Sequence, residues 1–191
     1  MRIDKNDLLL YAVTDRQWLG EASLAEQLEE AIQAGVTVVQ LREKELDFDA
    51  FVSLGKELQA VAKRHRIPFI INDAVDVALA LDADGVHVGQ SDMQAGDVRS
   101  RIGEGKILGV SAHSVEEALA AERNGADYLG VGAIYGTATK PDANTLSIET
   151  LQQICRAVSI PVVGIGGISE GNIPNLNGSG IDGVAVVSAI F

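Results

Sequence analysis

The chain has 191 residues, of which 47% are hydrophobic, so a single domain over residues 1–191 can enclose a sizeable core. Its net charge is −12, from 27 acidic against 15 basic residues, which argues against binding to nucleic acid or to an anionic membrane surface. The N-terminus lacks the pattern of a signal peptide and no apolar run approaches about 18 residues, so we expect a cytoplasmic protein. A single cysteine, Cys155, excludes a disulfide framework and a cysteine-based zinc site, and we expect a buried, inert thiol.

Short apolar runs alternate with amphipathic patterns along the whole chain. The apolar runs predict strands near 8–14, 36–42, 68–72, 85–89, 106–111, 128–134, 161–165 and 183–188. The amphipathic patterns predict helices near 23–34, 47–65, 74–82, 93–102, 114–124 and 147–158, with a weaker helix near 170–179. Strict alternation with short links predicts parallel strands joined by right-handed crossovers.

Capping residues support these helix bounds. Capping side chains occur at three predicted starts, as Ser23 with Glu26, Asp47, and Ser114 with Glu117. Glycine, which adopts the left-handed conformation easily, follows three predicted ends at Gly35, Gly103 and Gly125.

A faint repeat sets the architecture. A small turn followed by a strand recurs at positions 35, 82, 125 and 180, which are 47, 43 and 55 residues apart, or two strand–helix units each time. This rhythm favours a closed (β/α)8 TIM barrel over an open doubly wound sheet. The chain stops at Phe191 directly after the eighth strand, so we expect a barrel that lacks residues for its final helix, either truncated or continuing beyond the given sequence.

Polar groups follow the predicted strands at their carboxyl ends, where barrel enzymes carry their active sites. These groups are Thr14-Asp15, Gln40 to Lys44, Asn72-Asp73, Gln90-Ser91-Asp92, Ser111 to His113, Tyr135 to Lys140, Gly164 to Gly167, and Val187-Ser188.

The end of the second strand predicts an anion site. Strand side chains alternate between faces, so Gln40, Arg42 and Lys44 point the same way over roughly 13 Å. An amide and two cations in a row suit an anion, and the alternative is a strand end whose charges simply reach water.

Asp73 and Asp92 follow neighbouring strands and predict a metal site. Two carboxylates repel each other unless a cation lies between them, and oxygen ligands suit Mg²⁺, which takes further ligands from substrate phosphates. Each aspartate also stands just before a helix, so capping of that helix is the alternative.

Glycine-rich segments at the seventh and eighth strands, Gly164 to Gly167 and Gly183 to Ser188, predict a phosphate site, with tight packing as the alternative. Residues 135–146 form a long segment whose Thr137, Thr139 and Lys140 suit a lid over a phosphate, and the alternative is a solvated loop containing Pro141.

The histidines favour structural roles. His87, inside an apolar strand, is expected to be a satisfied core imidazole, and His65 is expected on a solvated helix end. His113 lies near the rim, where a substrate contact is open but a structural role is favoured. Ser111 lacks a nucleophile elbow, and nothing suggests a catalytic triad.

Taken together, several runs resemble the thiamine-phosphate synthase family over the whole chain. The runs are Tyr11 to Asp15, Gln40 to Lys44, Ile71 to Asp73, Gly85 to Gln90, Thr137 to Lys140, Gly164 to Gly167, and Val187-Ser188. The resemblance implies a (β/α)8 transferase that joins 4-amino-2-methyl-5-hydroxymethylpyrimidine diphosphate to 4-methyl-5-(2-hydroxyethyl)thiazole phosphate, giving thiamine phosphate and diphosphate. Gly136 stands where family members often have a proline, which bears on the stiffness of the lid.

The resemblance also implies residue roles. Gln40, Arg42, Lys44 and Asn72 would hold the pyrimidine diphosphate, Lys140 would reach the diphosphate, and Ser111 would contact the pyrimidine. Asp73 and Asp92 would hold Mg²⁺. The thiazole phosphate would be bound by Thr137, Thr139, Gly167, Val187 and Ser188, and the matching runs add Leu41, Glu43 and Ala138 to the substrate-binding set.

Two other functions remain open from the sequence. A related thiazole tautomerase would be expected to carry a histidine at or near position 133, where this chain has Ala133. A non-catalytic sensor of a phosphate ligand could use the same barrel. The expected partners are small-molecule substrates, with a homo-oligomer left open.

Overall fold

The computed structural model describes residues 3–16, 23–90, 94–136 and 145–190. Eight parallel strands close into a barrel in sequence order, β1 next to β8, which confirms the predicted (β/α)8 architecture. The strands are β1 (Leu10–Val13), β2 (Val38–Leu41), β3 (Phe69–Asn72), β4 (Gly85–Val88), β5 (Ile107–Ala112), β6 (Tyr128–Val131), β7 (Val162–Ile165) and β8 (Gly183–Val186).

Helices follow the first six strands at the predicted places. They are α1 (Leu24–Gln33), α2 (Phe48–His65), α3 (Val75–Leu81), α4 (Ala95–Ile102), α5 (Val115–Arg123) and α6 (Ile148–Ala157). Among the described helices, none combines the length and apolar character needed to cross a lipid bilayer.

The helix predicted near 170–179 is wrong in length. Only a 3-10 helix, Ile173–Leu176, lies between β7 and β8. Pro174 at its start cannot donate a backbone hydrogen bond, and Gly178 with a φ of 78° follows its end, so this stretch cannot extend into a full α-helix.

The predicted caps are largely confirmed. Ser23 and Glu26 form a reciprocal capping box on α1, and the Asp47 side chain caps α2. Ser114 caps α5 by accepting from the Glu117 N–H, but the Glu117 carboxylate bonds to the preceding loop instead of completing the box. The predicted left-handed glycines all have positive φ, at Gly35, Gly103 and Gly125.

The core has two layers because inward and outward side chains alternate along each strand. The inner layer fills the barrel with residues that include Leu8, Tyr11, Val38, Ile70, Ile107, Tyr128 and Val163. The outer layer packs the other face of the strands against the helices, with residues that include Val39, Leu41, Leu58, Ile71, Leu108, Leu129 and Ile154.

The two-unit repeat has a physical basis at the amino end of the barrel. The residue before each even-numbered strand bonds to the preceding odd-numbered strand at or next to its start. The acceptor side chains are Thr37 for Leu10 N–H (3.0 Å), Asp84 for Phe69 N–H (2.9 Å), Asp127 for Leu108 N–H (2.8 Å) and Asp182 for Val162 N–H (3.0 Å). Each of these residues also donates its own N–H to the carbonyl of the same partner residue. We call these four residues the amino-end clamp.

Cys155 lies on α6 and is partly exposed, so the expectation of a fully buried thiol is wrong. The burial that remains raises the pKa of this thiol to about 11, with a smaller contribution from Asp182. Because the thiolate is the reactive form, this shift keeps Cys155 protonated near neutral pH.

Candidate active site

A cavity of about 480 Å³ opens at the carboxyl end of the barrel. Residues from the inner faces of the strands and from the following loops line it. Those lining it from β1 to β5 and the loops after them are Tyr11, Val13, Gln40, Arg42, Asn72, His87, Ser111 and His113. From β6 to β8 come Tyr128, Gly130, Gly132, Ala133, Gly136, Val163, Ile165, Gly166, Gly167, Ile168, Ser169 and Ala185 to Ala189.

At the end of β2, two of the three side chains predicted to bind an anion line the cavity. Gln40 is buried and lines the cavity, and Arg42 lines it from the position just after the strand. Lys44 is exposed and does not line the cavity, because the strand ends at Leu41 and its alternation does not continue that far. The side chain of Leu41 points outward and is fully buried against the helices, away from the cavity.

Arg42 is held in place by the end of β1. Its guanidinium pairs with the Asp15 carboxylate at 3.2 Å, and its backbone N–H donates to the Thr14 hydroxyl at 3.1 Å. The side chains of Arg42 and Asp15 are 17% and 8% exposed, so water screens this pair only weakly. The side chain of Arg42 is therefore oriented before any anion binds.

Glu43 organises the loop after β2 and does not line the cavity. Its carboxylate accepts hydrogen bonds from the backbone N–H groups of Lys44 and Glu45 and pairs with Arg16 at 3.3 Å. Burial raises its pKa, but the hydrogen bonds from Glu45, Lys44 and Arg16 outweigh burial and leave the pKa below its ordinary value.

Asn72 and Asp73 lie together at the end of β3. Asn72 lines the cavity, and its amide donates to the Asp73 carboxylate at 2.6 Å. Asp73 is exposed, just outside the lining, and its backbone is left-handed with a φ of 59°. The N-cap residue of α3 is Ala74, so the alternative role of Asp73 as the cap of this helix is not seen.

The second predicted metal ligand, Asp92, lies outside the described residues. Within the described ranges, no group of three or more His, Cys, Asp or Glu side chains is arranged to hold a metal ion. Asp73 is thus the part of the predicted metal site that the structure places.

The glycine-rich turn after β7 lines the cavity and is also tightly packed. Gly166 and Gly167 have φ of 99° and 62°, and a Cβ on Gly167 would lie 2.4 Å from the Gly136 carbonyl oxygen. The Asn172 amide donates to the Gly167 carbonyl at 2.8 Å, which ties the turn to the following helix. Packing explains why glycine is required here, and the position of the turn brings its backbone to the cavity wall.

Val187 and Ser188, predicted to bind the thiazole phosphate, line the cavity beside this turn. The predicted lid residues Thr137, Ala138, Thr139 and Lys140 lie outside the described residues.

Sequence reasoning named Gln40 and Ser111 but missed the row of polar side chains that connects them along the cavity wall. Tyr11, from β1, accepts from the Gln40 amide at 2.8 Å and lies 2.6 Å from the Tyr128 hydroxyl. His87 bonds through Nδ1 to Tyr128 and through Nε2 to Ser111, both at 3.0 Å, which confirms it as a satisfied imidazole. The sequence did contain a signal for this row, namely a tyrosine at an inward-facing position in each of two otherwise aliphatic strands.

The other two histidines hold local structure. His113 lines the cavity mouth, and its backbone N–H and Nδ1 both bond to Glu117, at 2.7 and 3.1 Å. His65 ends α2 at an exposed position, as predicted, and pairs with Glu29 at 2.5 Å.

Seven of the predicted site residues therefore line one cavity: Gln40, Arg42, Asn72, Ser111, Gly167, Val187 and Ser188. Leu41, Glu43, Lys44 and Asp73 are described but do not line it.

Comparison with known proteins connects this chain to one family. Residues 10–190 match the family model described as thiamine monophosphate synthase. The chain is 55% identical to the thiamine-phosphate synthase of Clostridium acetobutylicum over 185 residues, covering 97% of this chain and 88% of the relative. It is 51% identical to the thiamine-phosphate synthase of Methanobrevibacter smithii, with the same coverage of both chains.

Solved structures agree. A thiamine phosphate pyrophosphorylase from Pyrococcus furiosus superposes with a TM-score of 0.88 at 40% identity, covering 97% of this chain and 88% of that one. An N-acetylmannosamine-6-phosphate 2-epimerase from Clostridium perfringens superposes with a TM-score of 0.71 at 18% identity, over 97% of this chain and 88% of that one, which shows a shared fold alone.

Proposed function

Since the chain belongs to the thiamine monophosphate synthase family and condenses a pyrimidine with a thiazole to give thiamine phosphate, we propose that its cavity is where the two heterocycles meet. The observation that carries this proposal is the convergence of Gln40, Arg42 and Asn72, from neighbouring strands, on one cavity. Convergent polar groups in a mostly apolar pocket are typical of a small-molecule site.

The proposed reaction begins with departure of diphosphate from the exocyclic carbon of the pyrimidine diphosphate. The aminopyrimidine ring stabilises the cation that remains, and the thiazole nitrogen then attacks it. Such a dissociative step requires no protein nucleophile, but it requires neutralisation of the leaving group and placement of the acceptor.

Arg42 is the best-supported partner of the leaving diphosphate. It is the one lysine or arginine among the described cavity-lining residues, and its pairing with Asp15 orients the guanidinium before substrate binds. Lys44, exposed just beyond the same strand, and Lys140 are the further cations of the proposal. Gln40 and Asn72 would bind the pyrimidine diphosphate through their amides.

We place the thiazole phosphate against Gly167, Val187 and Ser188, with Thr137 and Thr139 as its other ligands. The backbone of a left-handed glycine turn lies at the cavity wall here, at the two strands where barrels commonly bind phosphate. This arrangement would hold the thiazole nitrogen toward the pyrimidine.

The donor set at the end of β3 fits Mg²⁺. Asp73 is an exposed carboxylate beside the cavity that is not used as the cap of α3, and Mg²⁺ is commonly bound by one or two carboxylates plus substrate phosphates. We propose Asp73 and Asp92 as its ligands. When bound, the ion would supply charge neutralisation to the leaving diphosphate.

The test mixes both substrates with Mg²⁺ and measures diphosphate and thiamine phosphate. We expect Asp92→Ala and Lys140→Ala each to lower kcat by about 10²-fold or more, since contacts to a leaving group act mainly in the transition state. Asp97→Ala and Lys56→Ala remove the same charges from exposed positions on α4 and α2 and serve as matched controls.

Near-normal turnover in both site variants at saturating Mg²⁺ would contradict the residue roles. Binding of the thiazole phosphate without diphosphate release by the unmodified protein would instead favour a ligand sensor.

A further inference from the structure

A continuous hydrogen-bond chain crosses the barrel interior along the wall of the cavity, and all its members line the cavity. Its members, in order, are Gln40, Tyr11, Tyr128, His87 and Ser111, contributed by β2, β1, β6, β4 and β5. The successive donor–acceptor distances are 2.8, 2.6, 3.0 and 3.0 Å. We call these five residues the buried chain.

The buried chain has a direction that follows from counting donors. The Gln40 amide Nε2 can only donate, so Tyr11 accepts from it and has one proton of its own to place. The other member within reach is Tyr128, so the Tyr11 proton goes to the Tyr128 oxygen. In the opposite direction Tyr11 would accept twice, and its proton would have no acceptor within this chain, which is costly for a side chain that is 1% exposed.

The same direction continues to the cavity. Tyr128 passes its proton into a hydrogen bond with Nδ1 of His87, so His87 carries its own proton on Nε2 and donates to Ser111. The Ser111 oxygen then accepts one hydrogen bond from within the protein, which uses one of its two lone pairs. Its hydroxyl proton is left to point at whatever lies in the cavity that Ser111 lines.

Burial keeps the two tyrosines of the buried chain protonated. Burial raises the pKa of Tyr11 above its ordinary value, against the lowering effect of its hydrogen bonds to Tyr128 and Gln40. Burial likewise raises the pKa of Tyr128 well above its ordinary value, helped by Tyr11 and by Asp127. Both hydroxyls therefore keep their protons throughout the physiological range.

A glycine leaves room for the central contact of the buried chain, between Tyr128 and His87. Gly109 lies on β5 directly between His87 of β4 and Tyr128 of β6. A Cβ at this position would lie 2.3 Å from the Tyr128 hydroxyl and 2.5 Å from the His87 Nδ1. The bare backbone thus lets two side chains from non-adjacent strands meet.

We propose that the buried chain orients Ser111 as a hydrogen-bond donor to the cavity, so that the site favours a heterocycle presenting an acceptor ring nitrogen to Ser111. Tyr11, Tyr128 and His87 are then positioning residues that act through Ser111. The identity of that heterocycle as the pyrimidine rests on the proposed function, whereas the direction of the buried chain is a property of the substrate-free protein. A ring that carries a proton on the facing nitrogen would face the Ser111 O–H with a second donor and would bind more weakly, because Ser111 would have to turn its own proton away from the ring.

The first test reads the tautomer of His87 directly. The substrate-free protein is prepared with histidine labelled at the ring nitrogens, and His87→Gln identifies the His87 signals by their loss. We expect a neutral imidazole protonated at Nε2 near pH 7.5. A neutral ring protonated at Nδ1, or a doubly protonated ring, overturns the proposal whether or not the enzymatic assignment holds.

Two variants test the chain through the same signals. Tyr128→Phe removes the donor to Nδ1, and we expect the exclusive Nε2 protonation to be lost. Gln40→Glu offers Tyr11 only an acceptor near pH 8, which reverses the chain and moves the His87 proton to Nδ1. Tyr135→Phe removes a hydroxyl bonded to the Asn172 carbonyl, outside the buried chain, and is the matched control.

If neither variant changes the His87 tautomer while both remain folded by circular dichroism, the chain does not set its direction and the proposal fails. If Tyr128→Phe does not fold, the Gln40→Glu result alone decides in the same way.

The second test is kinetic. We expect Tyr128→Phe to raise the KM for the pyrimidine diphosphate about tenfold while the KM for the thiazole phosphate stays within about twofold. Two pyridine analogues of the pyrimidine diphosphate each lack a different one of its two ring nitrogens. In the unmodified protein, the analogue without the nitrogen that faces Ser111 should inhibit at least about tenfold more weakly than the other. Ser111→Ala should abolish this difference. Equal inhibition by both analogues in the unmodified protein would contradict the acceptor selection while leaving the transferase assignment intact.

Discussion

At the amino end of the barrel, four polar side chains bond to the backbone of the neighbouring strand, whereas at the carboxyl end polar side chains bond to one another and line a cavity. The amino-end clamp recurs every two strands with nearly the same geometry. The cavity residues follow no such repeat, because each must contact a different part of its ligands. The repeated contacts at the amino end therefore stabilise the barrel, whereas the side chains that follow no repeat form the candidate site.

The largest effect on catalysis is expected at Arg42, at the carboxyl end of the barrel. Arg42→Gln removes the oriented cation of the cavity, and we expect kcat to fall by about 10²-fold or more, as for other charge-stabilising donors. The measurement is steady-state diphosphate release, with folding checked by circular dichroism because the ion pair between Arg42 and Asp15 is lost.

Arg101→Gln is the matched control for Arg42. Arg101 pairs with Asp76 on the helical surface, away from the cavity lining, so its loss should leave kcat within about twofold. A kcat for Arg42→Gln within about threefold of the unmodified enzyme would place the leaving diphosphate elsewhere.

The opposite pattern is expected at Asp127. Its carboxylate accepts from the Leu108 N–H and pairs with the largely buried Arg99 at 2.6 Å, so Asp127→Ala leaves two donors without this acceptor. We expect the free energy of unfolding in urea to fall by about 2–3 kcal/mol while kcat of the folded enzyme is unchanged.

Asp127→Asn retains an acceptor oxygen and should lose less stability than the alanine variant. A large loss of kcat in folded Asp127→Ala would show that the two ends of the barrel are coupled.

Thr37 allows a finer comparison within the amino-end clamp. Its hydroxyl stands where the other three members have carboxylates, and it bonds to the Leu10 N–H at 3.0 Å. Because Thr37→Val keeps the shape and removes a neutral acceptor, we expect a loss of about 1 kcal/mol in the free energy of unfolding. If Thr37→Val costs as much as Asp127→Ala, the charge of the clamp aspartates is not what makes them stabilising.

The smallest expected effect is the pH dependence at Glu43. Its folded-state pKa lies below the ordinary value of 4.5, so its ionised form stabilises the protein above that pH, and this contribution is lost as the pH falls through the folded pKa. Glu43→Gln should therefore be less stable than the unmodified protein near about pH 6, and the difference should shrink toward about pH 3.

Urea unfolding at several pH values measures this difference. A gap between the two proteins that widens with acidity would mean that burial, which raises the pKa of Glu43, outweighs its hydrogen bonds.

The local rules of the chain already predict most of the fold. Alternating apolar and amphipathic segments place every described strand, and the caps at Ser23, Asp47 and Ser114 begin helices where they were expected. The weaker helix near 170–179 failed because Pro174 and the glycines around it oppose a helix more strongly than its few apolar residues favour one.

Residues of the candidate site can be predicted only where the alternation of side chains along a strand determines which of them point into the barrel. Gln40 and Asn72 point inward because they occupy alternate positions on buried strands. Lys44 lies past the end of its strand, where parity no longer determines direction, and it is exposed outside the cavity.

The order, number and inward faces of the strands can be predicted from the sequence alone, because these depend on the period of its hydrophobic residues and on capping chemistry between near neighbours. Which of the inward side chains meet depends on the three-dimensional fold. Tyr11 and Tyr128 are 117 positions apart, and their 2.6 Å contact exists because the closed barrel brings side chains from β1 and β6 together in its interior. Contacts across a closed barrel depend on its closure and on glycines that leave room for larger side chains, as Gly109 does between His87 and Tyr128. No local sequence pattern predicts either.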